Sequence, residues 1–125
     1  MFELTIKGDI ASAHYLRGYP GKCKDMHGHT WKVEVFLRAE KLNAIGMAED
    51  FAVLKKDFKA FLERLDHKCL NELEPFLDIN PTAENIAKYI YEEYGRQAAP
   101  LKVVRVQVWE SDLASAIYYE QKDEM

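Results

Sequence analysis

His29-Thr30-Trp31-Lys32-Val33-Glu34-Val35-Phe36-Leu37-Arg38-Ala39-Glu40 is the stretch that sets the fold class. Trp31, Val33, Val35 and Leu37 alternate with Lys32, Glu34 and Arg38, which is the period of two of a half-buried strand. Phe36 interrupts the polar side, so that side is covered in places as well. One such strand cannot stand alone, and the sequence on either side supplies its partners.

Upstream, Phe2, Leu4 and Ile6 alternate with Glu3, Thr5 and Lys7, a second half-buried strand. Gly8-Asp9 reads as a bulge or short turn, after which Ile10 to Leu16 is extended again. Gly18, Pro20 and Gly21 make Arg17 to Asp25 a loop, and two strands joined by it are most simply an antiparallel pair.

Downstream, Asn43 to Asp50 reads as a turn closed by Gly46, with Asp50 as a helix N-cap. The spacing then changes to three and four at Phe51, Leu54, Phe58, Phe61, Leu62 and Leu65, which predicts an amphipathic helix ending near Asp66-His67. Leu70 to Leu73 is a short apolar-anchored connection, and Pro75 to Pro81 is a second break. Thr82 caps the next helix, whose buried stripe is Ala83, Ile86, Ala87, Ile90, Tyr91 and Tyr94, with Gly95 at its end. Pro100 opens a last pair of strands, Val104, Val106 and Val108 alternating in the first and Leu113 to Gln121 forming the second. Strand, strand, helix, helix, strand, strand is an α+β chain: two helices on one face of an antiparallel four-stranded sheet. The edges of so small a sheet need cover, and pairing between subunits into a closed barrel would remove them.

The chain has 125 residues and a formal net charge of −4, which fits a single domain over residues 1–125. That charge argues against a nucleic-acid surface, and no apolar run approaches the length of a membrane span. The first residues alternate like a strand and lack a signal-peptide layout. Two cysteines without a disulfide pattern suit a reduced, cytoplasmic protein.

Chemistry concentrates just before the strand quoted above. His27 and His29 flank Gly28, and the period of two puts both imidazoles on one face. His14, ending the preceding strand, stands across from them. Three imidazoles with an open fourth position are the layout of a catalytic zinc site. Cys23 is a possible fourth ligand that would close a structural site, a small buried residue, or a thiol activated by Lys22 and Lys24. Cys69, among Leu65, Leu70 and Leu73, reads as buried. Asp66-His67 is either a carboxylate-oriented acid–base pair or a helix-end pair held by the dipole. Glu110 shares parity with Val104, Val106 and Val108, so it points to their apolar side and needs a partner there. A local backbone or Lys/Arg partner would satisfy it, as would a planar edge with paired N–H donors as in guanine or a pterin, and at the strand end it can also simply reach water.

Taken together, Cys23 and His27-Gly28-His29, His14, Leu65-Asp66-His67, Pro81-Thr82-Ala83-Glu84-Asn85 and Trp109-Glu110 resemble the 6-pyruvoyl-tetrahydropterin synthase / 6-carboxy-5,6,7,8-tetrahydropterin synthase family over essentially the whole chain. The resemblance implies a tunnelling fold whose subunits join through sheet edges into a barrel, as hexamers or tetramers with active sites at subunit interfaces. It implies zinc on His14, His27 and His29, Cys23 as catalytic thiol, Asp66 and His67 as acid–base pair, and Glu110 as pterin anchor. The short gap between Cys23 and His27 is similar to the queuosine-pathway branch. That branch is a lyase converting 7,8-dihydroneopterin triphosphate to 6-carboxy-5,6,7,8-tetrahydropterin, acetaldehyde and triphosphate. The pattern departs slightly before Asp50-Phe51, and Ser111 stands where threonine is common. Two other expectations remain beside this one: the 6-pyruvoyl reaction on the same scaffold, and a non-catalytic zinc-stabilised module closed by Cys23, which a chelator would unfold.

Overall fold

A computed structural model describes residues 1–20 and 25–124, the last without its side chain. The order is β1 (Phe2–His14), β2 (His27–Ala39), α1 (Phe51–Leu62), α2 (Ala83–Gln97), β3 (Lys102–Ser111) and β4 (Ala114–Tyr118), with short 3-10 turns at Leu70–Glu72 and Gln121–Glu124. The strands form one antiparallel sheet in the order β1-β2-β3-β4. Ile6, Ile10, Trp31, Val33, Val35, Leu37, Val106 and Val108 share one buried cluster with Leu54, Phe58, Phe61, Ile86, Ile90 and Tyr94. Both helices therefore cover the same face, as the alternation requires. Each fully buried aliphatic or aromatic side chain of such a core contributes roughly 1.5–3 kcal/mol.

Both helix starts follow from their caps. Asp50 Oδ1 accepts the Ala52 N–H at 2.8 Å and Thr82 Oγ1 accepts the Asn85 N–H at 3.1 Å, each satisfying a donor the helix leaves over. All six residues expected to form the α2 stripe are buried.

Several boundaries differ from the sequence expectation. β1 runs without interruption through Gly8-Asp9, Gly8 pairing with Val33 and Asp9 with Lys32. Gly8 is there to admit α1: a Cβ would lie 2.6 Å from Leu62 Cδ1 and 3.3 Å from Phe58 Cε2. β2 begins at His27, two residues early, because His27 pairs with His14. α1 stops at Leu62, and turns carry the chain through Leu65 to His67; Phe51, expected on the stripe, is half exposed. α2 passes through Gly95 to Gln97. β4 covers only part of Leu113–Gln121, since Leu113 forms the exposed turn and Gln121–Glu124 folds as a 3-10 turn. In β3, Val103 and Val104 are both buried, because the register with β2 slips by one between Phe36 and Leu37 and leaves Val104 as the extra residue. Cys69 is half-buried, bridged to Ala13 along the edge of β1.

The C-terminal turn is pinned through Asp123. Its Oδ2 accepts from the Tyr91 hydroxyl at 2.7 Å, its Oδ1 lies 3.3 Å from Lys102 Nζ, and its carbonyl accepts from Arg38 at 2.8 Å.

Candidate metal centre

The site lies where β1 ends and β2 begins. The register sets His14 opposite His27 and Ser12 opposite His29. Even-numbered residues of β1 and odd-numbered residues of β2 face the core there, so three imidazoles converge over Trp31, which is fully buried. Trp31 meets His14 and His29 edge to face, with ring centroids 4.8 Å and 5.1 Å away.

Hydrogen bonds decide which nitrogens face inward. His14 Nδ1 is 2.7 Å from the Pro81 carbonyl and His27 Nδ1 is 2.9 Å from the Asp25 carbonyl. A carbonyl only accepts, so each Nδ1 carries a proton and, in the neutral ring, each Nε2 is a bare lone pair. These two Nε2 atoms nevertheless stand 3.1 Å apart. His29 Nε2 is buried with no hydrogen-bond partner among the described residues. Glu110 Oε1 lies 3.5 Å from it.

The donor atoms of His14, His27, His29 and Glu110 all lie within 4.8 Å of one another. Lone pairs turned toward each other repel unless a cation sits among them. With zinc–nitrogen bonds of about 2.0–2.1 Å, a tetrahedral site spaces its donors about 3.3 Å apart, and the observed 3.1 Å and 3.5 Å bracket that value. Three neutral imidazoles with one carboxylate also suit zinc chemically. Burial keeps the imidazole of His14 below the ordinary histidine range, against the Pro81 hydrogen bond, with His27 and His29 adding to the lowering. Burial does the same to His29, opposed by the Glu110 charge. Both rings are thus held in the neutral, ligating form.

The three histidines foreseen as a trio are brought together, and Glu110 joins them directly. Its carboxylate has two kinds of partner open to it: a metal ion, or a ligand N–H pair beside that metal. Asp66 and His67 stand apart, at the outer edge of β1. Asp66 Oδ1 accepts the Ala11 N–H at 2.7 Å and lies 3.6 Å from His67 Nδ1. His67 donates its backbone N–H to Ala11 O at 2.7 Å and has a φ of 56°, a left-handed conformation unusual outside glycine. That turn pushes its side chain outward, 79% exposed. An open cleft lined by Ser12, Gly28, His29, His67 and Cys69 runs between the pair and the histidine cluster. Cys23, Lys22 and Lys24 lie outside the described residues.

Two residues that sequence reasoning quoted without a role in the site complete it from behind: Trp31 beneath the rings, and Pro81 holding His14. The Pro81 role had one sequence signal, its position beside the Thr82 cap, which fixes where the chain turns toward α2.

Comparison with known proteins places the chain in a family. The family model described as 6-pyruvoyl tetrahydropterin synthase matches residues 3–121. A Bacillus subtilis protein named 6-carboxy-5,6,7,8-tetrahydropterin synthase is 32% identical, covering 97% of this chain and 87% of its own. A human protein named 6-pyruvoyl tetrahydrobiopterin synthase is 38% identical, covering 78% of this chain and 70% of its own. Among solved structures, the Caenorhabditis elegans 6-pyruvoyl tetrahydropterin synthase superposes with a TM-score of 0.83 at 26% identity, covering 96% of each chain.

Proposed function

The chain belongs to the 6-pyruvoyl tetrahydropterin synthase family, and on that premise we propose that it is a zinc-dependent 6-carboxy-5,6,7,8-tetrahydropterin synthase. It acts as a lyase on 7,8-dihydroneopterin triphosphate and, with uptake of one water, releases 6-carboxy-5,6,7,8-tetrahydropterin, acetaldehyde and triphosphate, a step toward queuosine. The observation that carries the reading is the convergence of three imidazoles, two of them with Nε2 left bare by an Nδ1 bond to a carbonyl, beside the Glu110 carboxylate. The relative from Bacillus subtilis, matched over 97% of this chain, supports the carboxy product, as does the short gap from Cys23 to His27.

Bound by His14, His27 and His29, a zinc ion supplies a Lewis acid toward the hydroxyls of the substrate's side chain. The protein's own groups handle the protons and the orientation. Cys23, between Lys22 and Lys24, removes a side-chain proton as a thiolate, because neighbouring cations favour that form. His67, with the Asp66 carboxylate 3.6 Å from its Nδ1, exchanges the second proton. Glu110 accepts the paired N–H edge of the pterin, and its position against His29 sets the ring beside the histidine cluster. The 79% exposure of His67 on the rim of β1 suits a pair that serves a neighbouring subunit's centre. Such an oligomer would pair the β1 and β4 edges into a barrel, with sites at subunit interfaces.

The test is product analysis by mass spectrometry after incubating the zinc-loaded enzyme with 7,8-dihydroneopterin triphosphate. Acetaldehyde together with the carboxy product is the expected result. A 6-pyruvoyl product without acetaldehyde would establish the second reading, which the human relative at 38% identity favours. Neither product would overturn both.

A further inference from the structure

His14 is the last residue of β1, and just beyond it the chain loses β2 as a partner, because β2 starts opposite His14 itself. Two asparagine side chains take over. Asn71 Oδ1 accepts the Tyr15 N–H at 2.9 Å while its Nδ2 donates to the Tyr15 carbonyl at 3.0 Å. Asn80 repeats the arrangement on Arg17, with 2.9 Å to the N–H and 3.0 Å to the carbonyl. Each carboxamide thus spends an acceptor and a donor on a single residue's backbone, which the acceptor-only carboxylate of an aspartate could not do. Asn71 is 2% exposed, a burial tolerated only because both ends of its amide are satisfied.

The same segment is fixed from its other side. The Asn80 carbonyl accepts from the Thr82 N–H and from Asn85 Nδ2, both at 2.9 Å. Thr82 in turn caps α2. Pro81 therefore sits between anchored residues, with φ restricted by its own ring, and its carbonyl lies 2.7 Å from His14 Nδ1. The contacts close a ring: His14, Tyr15, Arg17, Asn80, Pro81 and back to His14.

We propose that Asn80, supported by Asn71, is a positioning residue of the metal centre. It holds the Pro81 carbonyl against His14 Nδ1 and so keeps the proton on that nitrogen and the bare Nε2 turned toward His27 and His29. The inference rests on reading the histidine cluster as a metal site. Groups that orient a ligating histidine from behind typically contribute 10–100-fold to metal affinity.

The test pairs two measurements on wild type, Asn80→Ala and, as a control for the site, His27→Ala. Zinc affinity is read by competition with a chromophoric chelator. The tautomer of His14 in the zinc-free protein is read from long-range proton–nitrogen NMR correlations, which a merely structural role would leave unchanged. Asn80→Ala is expected to weaken zinc binding about tenfold or more and to convert His14 from a single Nδ1–H tautomer to a mixture, with the zinc-free fold retained. Where Asn80→Ala does not fold, Asn80→Ser removes the same two-ended amide and is expected to behave alike. Zinc affinity within twofold of wild type, with an unchanged tautomer, in a folded Asn80 variant overturns the inference while leaving the site standing. Wild type that binds zinc no better than His27→Ala overturns the site reading itself.

Discussion

The Nε2 atoms of His14 and His27 face each other at 3.1 Å, each in a ring whose other nitrogen donates to a backbone carbonyl. With both rings neutral neither has a proton to offer the other, and the contact is repulsive until a cation occupies the space between. Purified protein is expected to carry zinc at close to one ion per chain, and His27→Ala to carry almost none, by elemental analysis. Normal zinc content in His27→Ala would remove the site assignment. Chelation should lower the melting temperature yet leave a folded chain by circular dichroism, because the core beneath the sheet is built without the metal.

Metal-free protein should lose stability as the pH falls from about 7 to about 5. The folded state lowers the pKa of His14 and His29 from the ordinary value of 6.5, chiefly by burial. Below that value the unfolded chain takes up protons that the folded chain refuses, so acidification favours unfolding until the folded rings also titrate. Above the unfolded value both states are neutral and the effect is absent. Urea midpoints across this range would show it; His14→Gln should flatten the slope, and an unchanged slope would count against His14 as the source.

Much of the sheet could be read in advance because its strands are buried on one side. The run from Trp31 to Leu37 alternates cleanly, and α2 shows its whole stripe because a single face meets the sheet. Gly8 misled because a glycine looks like punctuation until its neighbours across the fold are known: it leaves room for Leu62, more than fifty positions away. Gly95 misled differently, since a Cβ there would make only an ordinary contact, 3.9 Å from Val103, and the helix runs on to Gln97. The extent of β4 depended on where the C-terminal turn could dock, and that is decided by Tyr91, Lys102 and Arg38 gripping Asp123. At the site, the histidines announced themselves by spacing. Asn71 and Asn80 have no periodic signature, since they act on the backbone of residues 15 and 17 across a long loop closure.

Gly8→Ala tests the close approach of α1 to β1. The added methyl would meet Leu62 Cδ1 at 2.6 Å and Phe58 at 3.3 Å, and both side chains are enclosed in the core. Overpacking of this kind costs about 1–3 kcal/mol. Denaturant unfolding should show a lower midpoint with an unchanged slope, and zinc content should remain normal. A neutral substitution would mean that the helix shifts without resistance.

Glu110→Gln separates the two uses open to the carboxylate beside His29. As the anchor of a pterin N–H pair, Glu110 makes charge-assisted bonds, and neutralising it should cost about 1.5–3 kcal/mol, a rise in KM of roughly 10–100-fold. Zinc content would then stay near that of wild type, since three imidazoles remain. As a ligand to the metal, the same residue would show the reverse pattern: zinc affinity falls and KM for the zinc-loaded enzyme moves little. The 3.5 Å separation from His29 Nε2 is compatible with a shared tetrahedral edge, so the substitution has to be read on both quantities at once. The expected outcome is the first pattern, with the carboxylate turned to the pterin when substrate is bound. An unchanged KM would remove Glu110 from the anchoring role.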